Sequence, residues 1–200
     1  MFMKIGLKIS EQEYRRQLLC HARGSILEIG AGTGTNFKHY PLGSHVTATD
    51  VSGRIIEKAK IEAMERGLKA SFIVSSVEEL QFGIESFDTI VSTFTLCAYE
   101  NPGSVLTQMN SWCKDDGIIL LMEYGLSQNG FVSWVQKKIA PVHYKKTGYH
   151  IDRDMLKLVL ASGLCIKKIE IKYAGVVYLV WATLCRDQNE QMKFSHMQLV

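Results

Sequence analysis

Two acids bracket a run of glycines early in the chain: Glu28-Ile29-Gly30-Ala31-Gly32-Thr33-Gly34, then Asp50 twenty positions after Gly30. Glycines directly after an apolar strand let the backbone turn sharply and approach a ligand with no Cβ in the way. A helix N-terminus that follows such a turn offers amide donors to a negative group. A carboxylate at the tip of the next strand can accept hydrogen bonds from both hydroxyls of a ribose. The pattern describes a nucleoside site. Either acid alone is equally well read as a helix cap (Asp50) or a strand residue (Glu28); the combination is better read as a site.

Glu28 narrows the nucleoside. A loop built for a pyrophosphate gains nothing from a second negative charge two residues before it. S-adenosylmethionine (SAM) carries a sulfonium and an ammonium and no phosphate, so an acidic approach suits it better. Methyl transfer from a sulfonium is an in-line displacement with a good leaving group. The protein must chiefly align acceptor, methyl and sulfur, which supplies up to roughly 7–11 kcal/mol in well-oriented intramolecular cases. A general base matters only for a protonated acceptor, and then contributes about 10²–10⁴ in rate. His150 titrates in the useful range, and Tyr149 beside it can orient an acceptor, so these two are the candidate catalytic residues; His143 and Tyr144 share their segment. Tyr14 and Tyr40 are candidates for a lid over the cofactor. Cys97 has no histidine near it in sequence and reads as core. No metal site is expected, because no cysteine lies at ligand spacing from a histidine.

The elements that must carry these groups alternate. Ser10, with Glu13 at capping-box spacing, predicts a helix over 10–24 stopped by Gly24. Strands are predicted at Ser25–Ile29, His45–Thr49, Ala70–Val74, Phe87–Thr93 and Ile118–Met122. Between them, Ser52 can cap a helix carrying Ile55, Ile56, Ala59 and Ala63, and Asn101-Pro102 opens another. Phe131–Ala140 reads as a helix inside a variable insertion over 125–150, with Pro141–His150 as loop. Asp152 can cap a last helix ending at Gly163. Leu164–Tyr173 and Val176–Leu184, joined by Ala174-Gly175, read as a closing antiparallel hairpin. The pattern implies one α/β domain over 1–186, with a mostly parallel sheet and helices on both faces. Residues 187–200 read as a polar tail.

The E-x-G-x-G-x-G run, Asp50 and the closing hairpin resemble the class I SAM-dependent methyltransferases over about residues 10 to 185. That resemblance implies a Rossmann-like seven-stranded sheet with its last strand antiparallel, and a site over the C-terminal ends of the first strands. It implies that Gly30, Ala31 and Gly32 line the methionine part, that Asp50 binds the ribose, and that Val51 covers one adenine face. Ser76-Val77 stands where the family usually has an acid and a small residue against the adenine; Ser76 in place of the acid is a departure. Thr93 matches a position whose backbone borders the methionine, and the segment after the fifth strand is where the fold builds its acceptor pocket. Asn36-Phe-Lys-His-Tyr-Pro41, Leu96-Cys97 and Gly148-Tyr-His-Ile-Asp-Arg153 are similar to stretches of alkyl thiol, phospholipid and quinone methyltransferases. The implied reaction is methyl transfer to a small or lipid-like acceptor, with S-adenosylhomocysteine (SAH) as product.

Composition agrees with one domain, at 200 residues and 46% hydrophobic. The first hundred residues carry a net charge of −1 and the second hundred +4. The latter, with Lys137, Lys138, Lys145 and Lys146, reads as a solvated face, with peripheral contact to an anionic membrane as the alternative. No specific nucleic acid is expected. There is no N/D-P-P-Y/F run after the fourth strand and no Pro-Cys pair, so small-molecule or lipid acceptors lead over protein or RNA. A non-catalytic scaffold on the same fold is the remaining alternative, since no base stands out; Glu28 disfavours a dinucleotide oxidoreductase. No secretory signal is visible, and the five cysteines read as buried thiols of a reducing compartment, so an intracellular, cytoplasmic setting is expected. The oligomeric state is not legible.

Overall fold

Short, nearly continuous apolar strands belong in the middle of a sheet covered on both sides. The computed structural model, which describes residues 2–185, puts them there. β1 (Ser25–Ile29) pairs in parallel with β2 (His45–Asp50) on one side and β4 (Phe87–Thr93) on the other. β3 (Lys69–Val74) continues beyond β2, and β5 (Cys113–Tyr124) beyond β4, also parallel. β7 (Val177–Leu184) lies antiparallel between β5 and β6 (Leu164–Lys172), giving the order β3-β2-β1-β4-β5-β7-β6. The seven-stranded, mostly parallel sheet with its last strand reversed is therefore present. The polar tail lies outside the described residues.

Strand alternation divides the core. Leu27, Ile29, Ile90, Ile119, Leu121 and Val180 face one way, onto α3 (Pro102–Trp112) and α5 (Met155–Ala161). Ile26, Val91, Leu120, Met122, Leu179 and Trp181 face the other, onto α1 (Phe2–Leu19) and α2 (Gly53–Glu65). Helices thus cover both faces. By the same alternation Glu28 shares the side of Ile26, under α1.

Local signals fix most boundaries. Asn101 accepts a hydrogen bond from Ser104 N at 3.2 Å, with Pro102 in the first turn of α3. Four boundary readings and the reading of the cysteines need correction. α1 starts at Phe2 and ends at Leu19, because only Gly6 opposes a helix before Ser10, at a cost of about 1 kcal/mol. α4 (Gly130–Thr147) runs straight through Pro141. Asn129 caps its start, Gly148 closes its end at φ 74, and buried Gln136 ties it down by accepting from Ser127 N and donating to the carbonyls of Gly125 and Ile151. Together these outweigh the one backbone bond that a proline removes. α5 is capped by Asp154, which accepts from Lys157 N at 3.0 Å, rather than by Asp152. The β6–β7 turn takes four residues, Tyr173 to Val176, with Tyr173, Ala174 and Gly175 all at positive φ. The cysteines are not five buried thiols: Cys165 and Cys185 form a disulfide across the β6–β7 pair, and Cys20 is exposed. Hairpin register brings that pair together at a Cα separation of 4.9 Å, which a sequence separation of 20 does not reveal.

Candidate active site

At the C-terminal tip of β1 the chain turns at Gly30 (φ 63) and Gly32 (φ 58). A Cβ on Gly30 would stand 2.0 Å from Thr95 Cγ2, so only glycine lets the loop after β4 close onto this turn. A Cβ on Gly32 would meet no protein atom within 4 Å, yet Gly32 lines a cavity of ≈ 440 Å³. The missing side chain leaves that space to a ligand. Ala31 N donates to Thr49 O at 2.8 Å, which ties the turn to the tip of β2; Ala31 itself is buried behind the wall.

Asp50 ends β2 and lines the same cavity. Its Oδ2 accepts from Gly32 N and its Oδ1 from Ser52 N, each at 3.0 Å. Ser52 therefore heads α2 through its backbone, and its hydroxyl makes no cap bond. Each carboxylate oxygen keeps a further lone pair, and two such acceptors suit a vicinal diol. Among the described residues Asp50 makes no salt bridge. Beside it Val51 stands 67% exposed on the wall, and Val77 lines the same side from beneath. Ser76 caps the single turn Val77–Glu79, accepting from Glu78 N at 3.2 Å and donating to the Glu78 carboxylate. Glu78 lines the cavity, so an acid stands two residues from the position where the sequence has serine.

Glu28 is on the wall of no cavity described here. Its Oε1 accepts from Asn36 Nδ2 at 2.8 Å and its Oε2 from the Tyr40 hydroxyl at 2.7 Å. Burial pushes its carboxyl up to about 7, against the downward pull of those two bonds. Tyr40 is thus a buried donor and no lid. Asn36 joins this acid to Thr93 Oγ1 (3.0 Å) and accepts from Arg15 Nη1 (2.6 Å). Thr93 sits in this network behind the wall, under Phe94 and Thr95, which do line the cavity. Replacing Tyr40 with Phe removes a hydrogen bond to a buried acid, worth roughly 1.5–3 kcal/mol. Urea denaturation of Y40F at neutral pH should show a loss of that size with an unchanged slope.

The two candidate catalytic residues separate. Tyr149 lines the cavity and is half exposed. His150 points its ring against Tyr144, with centroids 4.3 Å apart, while its backbone N donates to Cys97 O. Burial lowers its pKa. His143 lies behind Tyr149, its Nδ1 3.2 Å from the Tyr149 carbonyl. Cys97 is buried, and burial pushes its thiol up to about 12, as a core residue requires. Tyr14 packs edge-on to Tyr173 and lines neither this cavity nor its neighbour.

Several site residues carried no motif. Glu123, at the tip of β5, is fully buried and accepts from Ser92 Oγ (2.6 Å), Thr95 N (2.9 Å) and Leu96 N (3.2 Å). Burial pushes it up to about 7. It holds the loop after β4 in the shape that walls the cavity. The signal available for it was an acid ending an otherwise apolar strand. Arg15, one helical turn from Glu11 on α1, is paired with it at 2.8 Å and lies 5.3 Å from the Phe94 ring centre. Phe94 takes φ 56, a costly conformation for a bulky residue that clusters at functional sites. It stacks on Tyr124 at 4.2 Å and separates the first cavity from a second, of ≈ 240 Å³, walled by Phe94, Tyr124, Tyr173, Val176 and Val177 together with one charged residue, Glu11. A hollow of ≈ 500 Å³ at the opposite end of the sheet, beside Leu42 and Lys69, has Tyr40 on its wall but neither the glycine turn nor Asp50.

Comparison with known proteins agrees with this geometry. A family model described as a methyltransferase domain matches residues 27–121. The phosphatidylethanolamine N-methyltransferase of Cereibacter sphaeroides is 30% identical over 150 residues, covering 72% of this chain and 73% of that one. The mitochondrial methyltransferase OMS1 of Saccharomyces cerevisiae is 26% identical over 84% of this chain, and the thiol S-methyltransferase TMT1B of Rattus norvegicus 31% over 66%. The chain spans 40% of the yeast protein's length and 57% of the rat enzyme's. Among solved structures, the PH0226 protein of Pyrococcus horikoshii superposes with a TM-score of 0.70 at 18% identity, covering 89% of this chain and 91% of its own. From the glycine turn through Asp50 to the reversed seventh strand, sequence and fold agree: the chain belongs to the class I SAM-dependent methyltransferases.

Proposed function

We propose that this enzyme methylates a small amphiphilic or lipid-like acceptor, bound in the apolar cavity on the far side of Phe94 from the SAM site. The observation that carries the reading is the junction itself. A cavity with a glycine cradle and an amide-fixed carboxylate meets a smaller, more apolar one across a single aromatic ring. The residues fit SAM: Asp50 has two acceptor positions that would take the ribose hydroxyls, Val51 and Val77 would flank the adenine, and Ser76 with Glu78 would meet its amino group. Gly30 and Gly32 leave room for the methionine part, which the backbone after Thr93 would border, while Ala31 ties their turn to β2 from behind the wall. When bound, SAM supplies an electrophilic methyl group. Glu28 acts from behind the wall, fixing Asn36 and so the loop. Phe94 and Tyr124 exclude water from the line of attack, and Tyr149 orients the acceptor from the cavity rim. With Cys97 held protonated and His150 packed on Tyr144, alignment and exclusion of water carry the reaction, and proton transfer is secondary. The phosphatidylethanolamine and thiol enzymes named above support an amphiphilic acceptor.

Titration calorimetry should detect SAM and SAH competing for one site, with no heat from NAD. SAH release should then be followed with aminophospholipids, alkyl thiols and phenols. Absence of heat with both SAM and SAH overturns the cofactor assignment. Cofactor binding without turnover on any acceptor class favours a scaffold on the same fold.

A further inference from the structure

An outward stripe on α4 has no partner among the described residues. Gln136 and Ala140 mark the buried face of this helix. Opposite them, at helical spacing, lie Phe131, Trp134, Lys138, Val142 and Lys145. Phe131 is 73% exposed, Trp134 57% and Val142 71%, and the first two rings stack at 6.3 Å. Among the described residues, the exposed apolar ones elsewhere include no ring but Tyr149, which follows α4: Ile61 and Met64 share α2, and Leu42 and Ile84 lie apart on turns. Lys137 and Lys146 flank the stripe, and α4 contains no acid. Large rings interleaved with lysines form the pattern of a helix that lies in a bilayer interface, rings in the acyl boundary and ammonium groups among anionic headgroups. A second copy of the chain fits this face poorly. Two α4 stripes laid together would set lysine against lysine with no carboxylate on either helix to pair them.

We propose that α4 docks this enzyme onto an anionic phospholipid bilayer, with Phe131, Trp134 and Val142 inserted and Lys138 and Lys145 on the headgroups. Among the described residues no helix is long and apolar enough to cross a membrane, so contact through this face would be in-plane. Gly148 ends α4, and the next residue, Tyr149, lines the cavity beside Asp50. Docking therefore sets the rim of the SAM cavity near the lipid surface, one aromatic ring, Phe94, away from the cavity proposed for the acceptor. That consequence rests on the function proposed above; the docking itself does not, since it needs no cofactor.

The test is co-sedimentation with vesicles of phosphatidylcholine alone and with added phosphatidylglycerol, at low and high salt, without SAM. The wild type should bind the anionic vesicles at low salt and release them at high salt. Trp134 emission should shift to the blue on binding; Trp112 and Trp181 are buried and stay silent. Each lysine near such a surface is worth roughly five-fold in binding, so K138A/K145A should lose about 25-fold. F131A/W134A should lose binding to both vesicle types, while circular dichroism and SAM calorimetry stay as in the wild type and show that the site is intact. No binding to anionic vesicles, equal binding to neutral ones, or F131A/W134A binding like the wild type each overturns the proposal. So does a wild-type dimer that F131A/W134A converts to monomer.

Discussion

Asp50→Ala should weaken SAM and SAH binding by roughly 10²-fold or more while the fold stands. Hydrogen bonds to an ionised group contribute about 1.5–3 kcal/mol each, and this carboxylate has two positions left for ribose hydroxyls after accepting from Gly32 N and Ser52 N. Those two amides lie in a part-buried loop, so water can take the place of the lost carboxylate in the free protein and stability should change little. Asp50→Asn keeps one acceptor and exchanges the other for a donor, so its affinity should fall between wild type and alanine. Calorimetry on the three proteins, with thermal denaturation alongside, reads both quantities. An alanine variant that binds SAM as tightly as the wild type would mean that the ribose is held elsewhere.

Glu123→Ala should be the most damaging single change to stability, at about 4–5 kcal/mol. It strands Thr95 N, Leu96 N and the Ser92 hydroxyl in a buried place, and an unsatisfied buried donor costs about 1–3 kcal/mol. Glu123→Gln retains one acceptor oxygen and should cost less. Its comparison with the wild type also carries a pH signature. The folded-state pKa stands raised, from 4.5 to about 7, because burial penalises the charge. Stability from this group is therefore full below the ordinary carboxylate value and is lost as pH rises through about 7, with a slope of at most about 1.4 kcal/mol per pH unit. Glutamine cannot ionise, so the wild type's advantage over E123Q should narrow as pH climbs across that window. Glu28, raised to about 7 by burial as well, contributes a slope of the same sign in both proteins and cancels in the difference. Urea denaturation at several pH values measures the gap; a gap that stays flat from about pH 4.5 to 7 would show Glu123 to be ionised across that window in the folded protein.

The order of elements was readable because apolar runs, caps and glycines agree with one another along the chain. Ser25–Ile29, the glycine turn and Asp50 needed only strand length and backbone freedom to be located. Glu28 was legible as an acid in the right place but not in its direction. Residues past a strand's tip face the ligand, whereas one inside the strand points to whichever sheet face its parity gives, and Glu28 shares the face of Ile26. Glu123 escaped notice because two of its three donors are backbone amides, which have no signature in side-chain pattern, and the third, Ser92, comes from the neighbouring strand. Helix α4 was cut short at Pro141 because its compensation comes from Gln136, whose bonds reach Gly125 and Ile151, close by in space but outside any local rule. The Cys165–Cys185 bond depends on register between two strands, and two-residue periodicity fixes the faces of a strand without fixing which partner lies opposite.

The insertion of β7 between β5 and β6 has a consequence for synthesis on the ribosome. Chain growth is vectorial, and the strand that neighbours β5 is the last to emerge of those described. Until it arrives, the edge of β5 from Ile119 to Tyr124, which β7 covers in the finished sheet, has its hydrogen-bonding groups unpaired. The nascent chain therefore carries an open, largely apolar edge from the completion of β5 at Tyr124 to that of β7 at Leu184, the kind of surface that recruits chaperones or pairs with a neighbouring nascent chain. A ribosome stalled between Lys172 and Val177 would hold that edge open.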